Sequence, residues 1–482
     1  MREQGRPRLR SRSPVEGLEW RRLGPVGVFA QSVSGTAPSA AMAATPAIVA
    51  VAAGGATVWS FVVATVVALL IATCISQFTR RMAATGGLYT LTAKGLRPGG
   101  AYTCALATLV GYGLLIPAAL AGTVVYSGAL LEQLTGHGLG RFGGAAVVLV
   151  GGTAVAWLAL RGVRLSARVV LLVESVSIGL MLIVFGLLFV GGPLTSTSTA
   201  AAQPGPGPAG ILSGVLPALA AFIGFEIATS LGTEVRRPFR SVPRAVGLTA
   251  TLTGVLYVFA AQVQVLGFSR TPGGLAAQPE PVVALATARG WSWMPAVLDL
   301  GVMTSFFACA LASATALARV VFSLARDGIA PGALGRTHRV FRTPHVAIGL
   351  TTPAAVVFLV ALLAVGMSPT ATLVALLTVA TCGFLLAYLL VCLAAPVFLN
   401  RIGELTWPAV VVSAVVVPIL LAVLVTFVIT NPATTYPLAA LTAVGVAGYG
   451  WLRRRRRTEL GGIGVYDETT TADVLIPGSS AA

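Results

Sequence analysis

Long apolar runs alternate along the chain with short connections that carry arginine. A membrane-spanning helix needs about 20 mostly apolar residues, and twelve runs are long enough to qualify. The runs are continuous and lack the alternating segments of about ten residues that form outer-membrane strands, so the pattern predicts helices rather than a barrel. We therefore predict an all-α integral membrane protein with twelve transmembrane helices. The predicted spans are 23–53, 57–79, 99–131, 142–160, 166–191, 211–233, 243–268, 292–325, 345–366, 369–398, 406–429 and 435–452.

Composition agrees, because 56% of the 482 residues are hydrophobic and only 10% are charged, against about 25% charged residues in an average soluble domain. The net charge of +17 is of the size that nucleic-acid-binding proteins carry. However, 29 of the 32 basic residues fall in the tails and in alternate connections, which leaves Arg141, Arg270 and Arg289 for the other face. The positive-inside bias then predicts that both termini are cytoplasmic. We expect a lipid bilayer as partner and no nucleic acid.

Two spans are interrupted, which in a membrane marks a place lined by protein or water. The first span contains Ser34-Gly35-Thr36-Ala37-Pro38, where proline and glycine disfavour a continuous helix. The sixth contains Phe222-Ile223-Gly224-Phe225-Glu226. Interrupted helices at matching positions of two halves point to the substrate site of a transporter. Half-helix amides suit a substrate carboxylate, and freed carbonyls suit an ammonium group or a cation.

Three carboxylates lie inside predicted spans: Glu174, Glu226 and Asp299. A carboxylate at the bilayer centre costs about 2.5–3.5 kcal/mol on insertion scales, so a carboxylate in a span indicates a functional or structural role. Glu226 lies beside the second break and is our first candidate for a proton-coupling residue, with Glu174 as the second. Asp299 lies near the end of its span, and we expect a structural role for it. Tyr112, midway along the third span, is a candidate for closing over a substrate.

The motifs around these residues resemble amino acid–polyamine–organocation permeases. The similarity is carried by Gly86-Gly87-Leu88-Tyr89, by the stretch from Phe222 to Ala245 and by the stretch from Ser305 to Gly328. The resemblance implies a five-plus-five inverted repeat with two extra C-terminal helices and alternating access. The implied divisions are a basic cytoplasmic tail (1–22), a first repeat of helices 1–5 (23–191), a second repeat of helices 6–10 (211–398), helices 11–12 (406–452) and a disordered cytoplasmic tail (453–482).

The resemblance also implies roles for single residues. The amides of Ser34, Gly35 and Thr36 would hold a substrate carboxylate, and the carbonyls of Phe222 and Ile223, beside Gly224, would receive its ammonium group. Glu226 matches a glutamate implicated in coupling in proton-linked members. Two departures stand out, since Ala220 replaces an aromatic gate of arginine/agmatine exchangers and Lys94, the only lysine, lies in a connection. A fifth-helix lysine switch is therefore absent.

Function is thus predicted as secondary active transport of amino acids or related amines across the cytoplasmic membrane, coupled to protons. A sodium-coupled permease using Ser305 and Ser313, an exchanger of the same fold, a transporter-like receptor and an intramembrane enzyme remain alternatives. The enzyme alternative is weakened because the sequence carries no HExxH and no GxGD motif. The five cysteines lie in apolar runs without CxxC spacing, which predicts small buried side chains rather than a metal or cofactor site. We also expect the N-terminal apolar stretch to be retained rather than cleaved.

Overall fold

The computed structural model describes residues 13–191, 208–278, 280–430, 432, 435–456, 459–460 and 462–467. The predicted basic tail before residue 13, Arg457 and the residues after 467 lie outside that part of the chain. Fifteen α-helices form within the described residues. In chain order they are α1 Pro25–Gly35, α2 Pro38–Ala53, α3 Thr57–Thr79, α4 Leu88–Gly95, α5 Pro98–Thr135, α6 Arg141–Leu160, α7 Val163–Val190, α8 Pro208–Ala220, α9 Pro238–Gly267, α10 Pro281–Ala288, α11 Met294–Arg326, α12 His345–Ala364, α13 Pro369–Arg401, α14 Trp407–Thr430 and α15 Thr435–Arg455.

Every predicted span contains one of these helices, and the two interrupted spans are divided where the sequence indicates. The first becomes α1 and α2, and the sixth becomes α8 followed by a 3-10 turn at Ile227–Leu231. Within the described part of the chain, nine helical stretches are long and apolar enough to cross a membrane, and one of them, Pro25–Thr79, includes two predicted crossings. The total of twelve spans and the location of the termini stay predictions.

The most enclosed helix is α11, with 94% of its most apolar window buried. It packs along α5 and α7, while α13 packs along the other side of α5, and α1 lies against α7, α9 and α11. In the peripheral helices α6, α7, α12 and α14, only about a third or less of the most apolar window is buried. Because lipid-facing and core-facing residues are both apolar, hydropathy alone could not rank the helices in this way.

Both described terminal segments lie at one end of the helix bundle. Asp467 accepts hydrogen bonds from Ser13 (3.0 Å), Trp20 (3.2 Å) and Arg21 (2.9 Å), and its backbone amide donates to the Ala83 carbonyl (2.9 Å). The sequence predicts a disordered tail beyond residue 453. The described residues differ from that expectation, because α15 continues to Arg455 and the segment from 462 to 467 docks on the bundle. We call this end of the molecule the terminal face.

Candidate functional site

The first break is a tight backbone reversal between α1 and α2. Ala37 adopts the left-handed conformation (φ 42°, ψ 60°) immediately before Pro38, which disfavours a right-handed helical conformation at the preceding residue. The amides of Thr36 and Ala37 bond back to the carbonyls of Val33 (3.0 Å) and Ser34 (3.1 Å) and so close the end of α1. The next helix, α2, begins directly at Pro38, because proline is well suited to the first helical position.

The second break meets the first one through the backbone. Gly224 has a positive φ of 97°, which glycine adopts without steric cost. A Cβ atom added to Gly35 would lie 2.5 Å from the Gly224 oxygen, and one added to Gly224 would clash with the backbone of Gly35. Only glycine at both positions allows the two broken segments to approach this closely.

Two side chains join the two breaks, and a third connects the first break to α11. The Tyr257 hydroxyl of α9 lies within donating distance of the carbonyls of Ala221 (3.0 Å) and Thr36 (3.3 Å). Ser32 of α1 donates to the Phe225 carbonyl. On the other side, the Cys309 thiol of α11 donates to the Gly35 carbonyl (3.3 Å). These contacts satisfy carbonyls that a regular helix would have paired internally.

Glu226 is the charged centre of the second break. Its side chain is fully buried and accepts hydrogen bonds from Tyr112 of α5 (2.6 Å) and from Tyr388 of α13. The Tyr388 hydroxyl in turn accepts the Gly224 amide at 3.3 Å. Buried polar groups need partners, and here two neighbouring helices supply both hydroxyls. The carboxylate is thereby connected to the backbone of the break itself.

Glu174 of α7 is buried beside the first break. The Ser305 hydroxyl of α11 is its donor, at 3.3 Å and 3.5 Å from the two carboxylate oxygens. Nearby, the Ser34 hydroxyl is buried without a hydrogen-bond partner among the described residues. Asp299, the third predicted carboxylate, lies near the start of α11 and accepts a hydrogen bond from Gln133 (2.7 Å). The structure therefore brings one carboxylate to each break and leaves Asp299 apart.

The predicted binding residues gather at the two breaks, and their side chains are buried. Ser34, Thr36, Tyr112, Phe222 and Ile223 are each at most 5% exposed. The chain is therefore closed around the breaks in this conformation, and opening would require the surrounding helices to separate.

The backbone groups at the breaks differ in detail from the sequence-based expectation. The Thr36 and Ala37 amides are already bonded, so the amides at this break without an acceptor inside a helix are those of Ser39 and Ala40 in the first turn of α2. The Phe222 carbonyl accepts the Phe225 amide (3.3 Å), whereas the Ile223 carbonyl takes no backbone amide among the described residues.

Sequence reasoning did not find Ser32, Tyr257, Cys309 or Tyr388. Tyrosines in apolar helices carry a weak signal, since a buried hydroxyl needs a partner, but the sequence does not say which partner. A buried ion pair was missed too. Arg319 of α11, expected at the end of its span, forms a bidentate pair with Glu234 (2.7–3.1 Å), and both side chains are at most 2% exposed.

Each of the two predicted sodium ligands has a side-chain neighbour among the described residues. The Ser305 hydroxyl is directed to Glu174, and the Ser313 hydroxyl lies 4.0 Å from the Cys309 sulfur. In the described part of the chain, no group of three or more His, Cys, Asp or Glu side chains is arranged to hold a metal ion. All five cysteines are free and buried.

The profile of the amino acid permease family matches residues 27–451. The chain is 26% identical to the branched-chain amino acid permease of Bacillus subtilis over 62% of this chain and 66% of that protein. It is 26% identical to the vacuolar cationic amino acid transporter 4 of Arabidopsis thaliana, over 70% of this chain and 58% of that protein.

A third relative, the methylthioribose transporter of Bacillus subtilis, is 24% identical over 62% of this chain and 66% of its own length. The chain thus spans between about half and two thirds of the length of the curated relatives it matches. The match of the family profile covers most of the chain, including both breaks and all the buried residues around them. This multi-pass membrane chain therefore belongs to the amino acid permease family.

Proposed function

We propose that the protein is a secondary transporter that moves amino acids or related amines across the membrane by alternating access. The observation that carries the proposal is the meeting of the two helix breaks at Gly35 and Gly224, with the buried Glu226 beside them. Broken helices at the midplane supply backbone amides and carbonyls that lipid could not satisfy. Such groups match the carboxylate and ammonium ends of an amino acid.

Substrate recognition is assigned to the ends of the broken helices. The carboxylate would be held at the first break, where Ser34, Gly35 and Thr36 lie and where the free amides of Ser39 and Ala40 begin α2. The ammonium group would be received by the carbonyls at Phe222 and Ile223. Two relatives, a branched-chain amino acid permease and a cationic amino acid transporter, support amino acids as substrates, while the methylthioribose transporter is the reason to include other small molecules in the substrate screen.

Coupling to protons is assigned to Glu226, with Glu174 as a second candidate. A carboxylate that moves between a dry and a wet environment gains and loses a proton, because burial disfavours its charged form. Glu226 is connected to the break through Tyr388 and Gly224, so its protonation would change the hydrogen bonds that hold the break closed. Glu174 accepts from Ser305 and, within the described residues, has no such connection to the second break.

A sodium-coupled or exchanging permease of the same fold is the competing mechanism. It would place a cation near Ser305 and Ser313 with a first-break carbonyl. The direction of the Ser305 hydroxyl toward Glu174 and of the Cys309 thiol toward Gly35 favours the proton mechanism in this conformation. We place the protein in the cytoplasmic membrane with both termini in the cytoplasm, on the basis of the arginine distribution.

The test is uptake by the purified protein in liposomes, with a radiolabelled panel of neutral and cationic amino acids, polyamines and methylthioribose. Each compound is measured with an inward pH gradient, with a sodium gradient and with internal substrate for exchange. Accumulation driven by the pH gradient is the expected result. Accumulation driven only by sodium would overturn the proton assignment, and no movement of any compound would overturn the transport proposal.

A further inference from the structure

A basic cleft lies outside the site already described, between the start of α1 and the first turns of α9. Its volume is about 530 Å³, and Arg236, Arg237, Arg240 and Arg244 line one part of it. The walls are fixed by backbone pairing, because the Leu23 amide donates to the Glu234 carbonyl (2.8 Å) and the Arg236 amide donates to the Leu23 carbonyl (3.0 Å). The cleft is therefore part of the fold rather than a gap between loose loops.

The four arginines carry a charge that nothing in the described part of the chain neutralises. All four are exposed, and none makes a side-chain hydrogen bond or an ion pair there. Elsewhere, arginines with an acidic neighbour do pair, as Arg164 does with Glu19 and Arg81 with Glu404. Like charges one helical turn apart repel each other, as at Arg240 and Arg244. An anion in the cleft would remove that repulsion.

The other part of the cleft is apolar and lies deeper along the same helices. Phe29 lines it from α1, and Leu248 lines it from α9, one turn beyond Arg244. Leu248 is 58% exposed, so it has room for a contact beyond the protein. Since α9 enters the bilayer from the face that the arginine bias predicts to be cytoplasmic, the guanidinium groups lie toward the headgroups and the apolar side chains toward the acyl chains.

We propose that this cleft binds an anionic phospholipid of the cytoplasmic leaflet. The phosphate would lie against Arg240 and Arg244, and an acyl chain would run along Phe29 and Leu248. A free phosphate or a nucleotide would use only the basic part, whereas a lipid matches both parts at once. Basic pockets between membrane helices on the cytoplasmic side are suited to anionic headgroups for this reason.

The bound lipid would join two elements that adjoin the breaks. α1 ends at the first break, and α9 begins a few residues after the 3-10 turn of the second one. A lipid held between them would bias how far they separate. This consequence for transport rests on the proposed function, but binding itself does not, so the two can fail separately.

The test measures lipid binding rather than transport. Protein in nanodiscs or mild detergent is titrated with phosphatidylglycerol, with phosphatidylcholine and with inorganic phosphate, and bound lipid is counted by native mass spectrometry. The double variant Arg240→Gln/Arg244→Gln is compared with Arg453→Gln/Arg454→Gln, which removes the same charge from exposed arginines of α15 outside the cleft. We expect the first pair to weaken phosphatidylglycerol binding by about thirtyfold and the second to leave it within about twofold.

The apolar part is tested separately with Leu248→Trp, which should weaken phosphatidylglycerol binding without changing the weak binding of phosphate. Leu350→Trp, at an exposed position of α12, is its matched control. Equal losses in both arginine pairs would show general attraction to the leaflet and overturn the site. So would equal affinity for phosphatidylcholine, or a Leu248→Trp protein that binds phosphatidylglycerol normally. Thermal unfolding of each variant confirms that it is folded.

Discussion

Two buried carboxylates in this protein have similar hydrogen-bond donors but lie in different parts of the molecule. Glu226, at the break, accepts from Tyr112 and Tyr388. Asp327, just after α11, accepts from Tyr89 and from the backbone amides of the docked C-terminal segment, Gly464 (2.9 Å) and Val465 (3.1 Å).

The difference between the two lies in what surrounds them. The donors of Glu226 come from membrane helices that flank a broken backbone. A change in the charge of Glu226 would therefore alter the hydrogen bonds beside the break. The donors of Asp327 come from a connection between two spans and from a terminal segment, so Asp327 links these segments at the terminal face. Burial raises the pKa of Asp327, and its three donors offset part of that rise because they stabilise the charged form. Location, rather than hydrogen-bond chemistry, is thus what would separate the proposed coupling residue from a structural one.

The largest expected effect is at Glu226. Glu226→Gln keeps the size and most hydrogen bonds of the side chain but cannot exchange a proton, so uptake driven by a pH gradient should be lost while exchange of internal for external substrate continues. Asp327→Asn is the matched control and should retain pH-driven uptake. The measurement is radiolabelled uptake in liposomes with and without the gradient. Normal pH-driven uptake by Glu226→Gln would refute the coupling role, and loss in both variants would remove the distinction between the carboxylates.

The next effect tests whether the breaks depend on backbone contact. Gly224→Ala places a Cβ against the Gly35 backbone at a positive φ, and about 1–3 kcal/mol of strain corresponds to a loss of transport of about fivefold to 150-fold. Gly179→Ala, in α7, meets nothing within 4 Å and should transport normally. The initial rate of uptake, corrected for the amount of folded protein, is the readout. Equal activity in the two variants would mean that the breaks do not need this contact.

A smaller effect separates the two tyrosines that bond Glu226. Tyr388→Phe removes a donor to the carboxylate and also the acceptor of the Gly224 amide, whereas Tyr112→Phe removes the donor alone. A side-chain hydrogen bond contributes about 0.5–1.5 kcal/mol net, so each variant should slow uptake by about two- to tenfold, with Tyr388→Phe the slower. If Tyr112→Phe is slower, the connection to the backbone of the break is not what matters.

The smallest effect concerns the terminal face. A stop codon in place of Gly462 removes the amides that bond Asp327 and the carboxylate that bonds Ser13, Trp20 and Arg21. The contacts of Asp467 are exposed or partly buried, and exposed ion pairs contribute about 0–1 kcal/mol each, whereas the two amides that bond Asp327 are buried. We expect opening at the terminal face to become about two to five times more frequent.

The readout for that change is the labelling rate of Cys309 by a maleimide, in a protein whose other four cysteines are replaced by serine. Cys309 is buried against the Gly35 carbonyl, so it reacts only when the breaks are uncovered. Unchanged labelling after truncation would show that the docked segment does not restrain opening. Faster labelling from both sides of the membrane would indicate general loosening instead.

The sequence predicted the breaks because their causes are local. Pro38 and Gly224 restrict or permit particular backbone angles wherever they stand in a chain, and both helices end where these residues predict. Glu226 was found for a similar reason, since a carboxylate in an apolar run needs no structure to be noticed. The sequence could not predict which amides stay free, because that depends on how the last turn of α1 closes at Thr36 and Ala37.

The docked C-terminal segment shows the opposite case. It belongs to a tail, residues 458–482, that is largely polar and contains many glycine, serine and threonine residues, which predicts disorder when the tail is considered alone. In the structure, Asp467 contacts residues more than 440 positions earlier, and the Lys94 ammonium lies 4.4 Å from the centre of the Tyr466 ring. No local pattern carries that information, because it arises only once the bundle has assembled a surface to dock on.

By itself, then, the sequence determined the membrane environment, the apolar spans, the two breaks and the carboxylate at the second one. Hydropathy, glycine, proline and buried charge act over a few residues, so they can be recognised without neighbours. The tertiary structure decided which groups meet: Gly35 with Gly224, Tyr388 with Glu226, Tyr257 with both breaks, and Arg21 with Asp467. Those pairings depend on how apolar helices pack in the bundle, and many apolar surfaces are equivalent until close packing selects one arrangement.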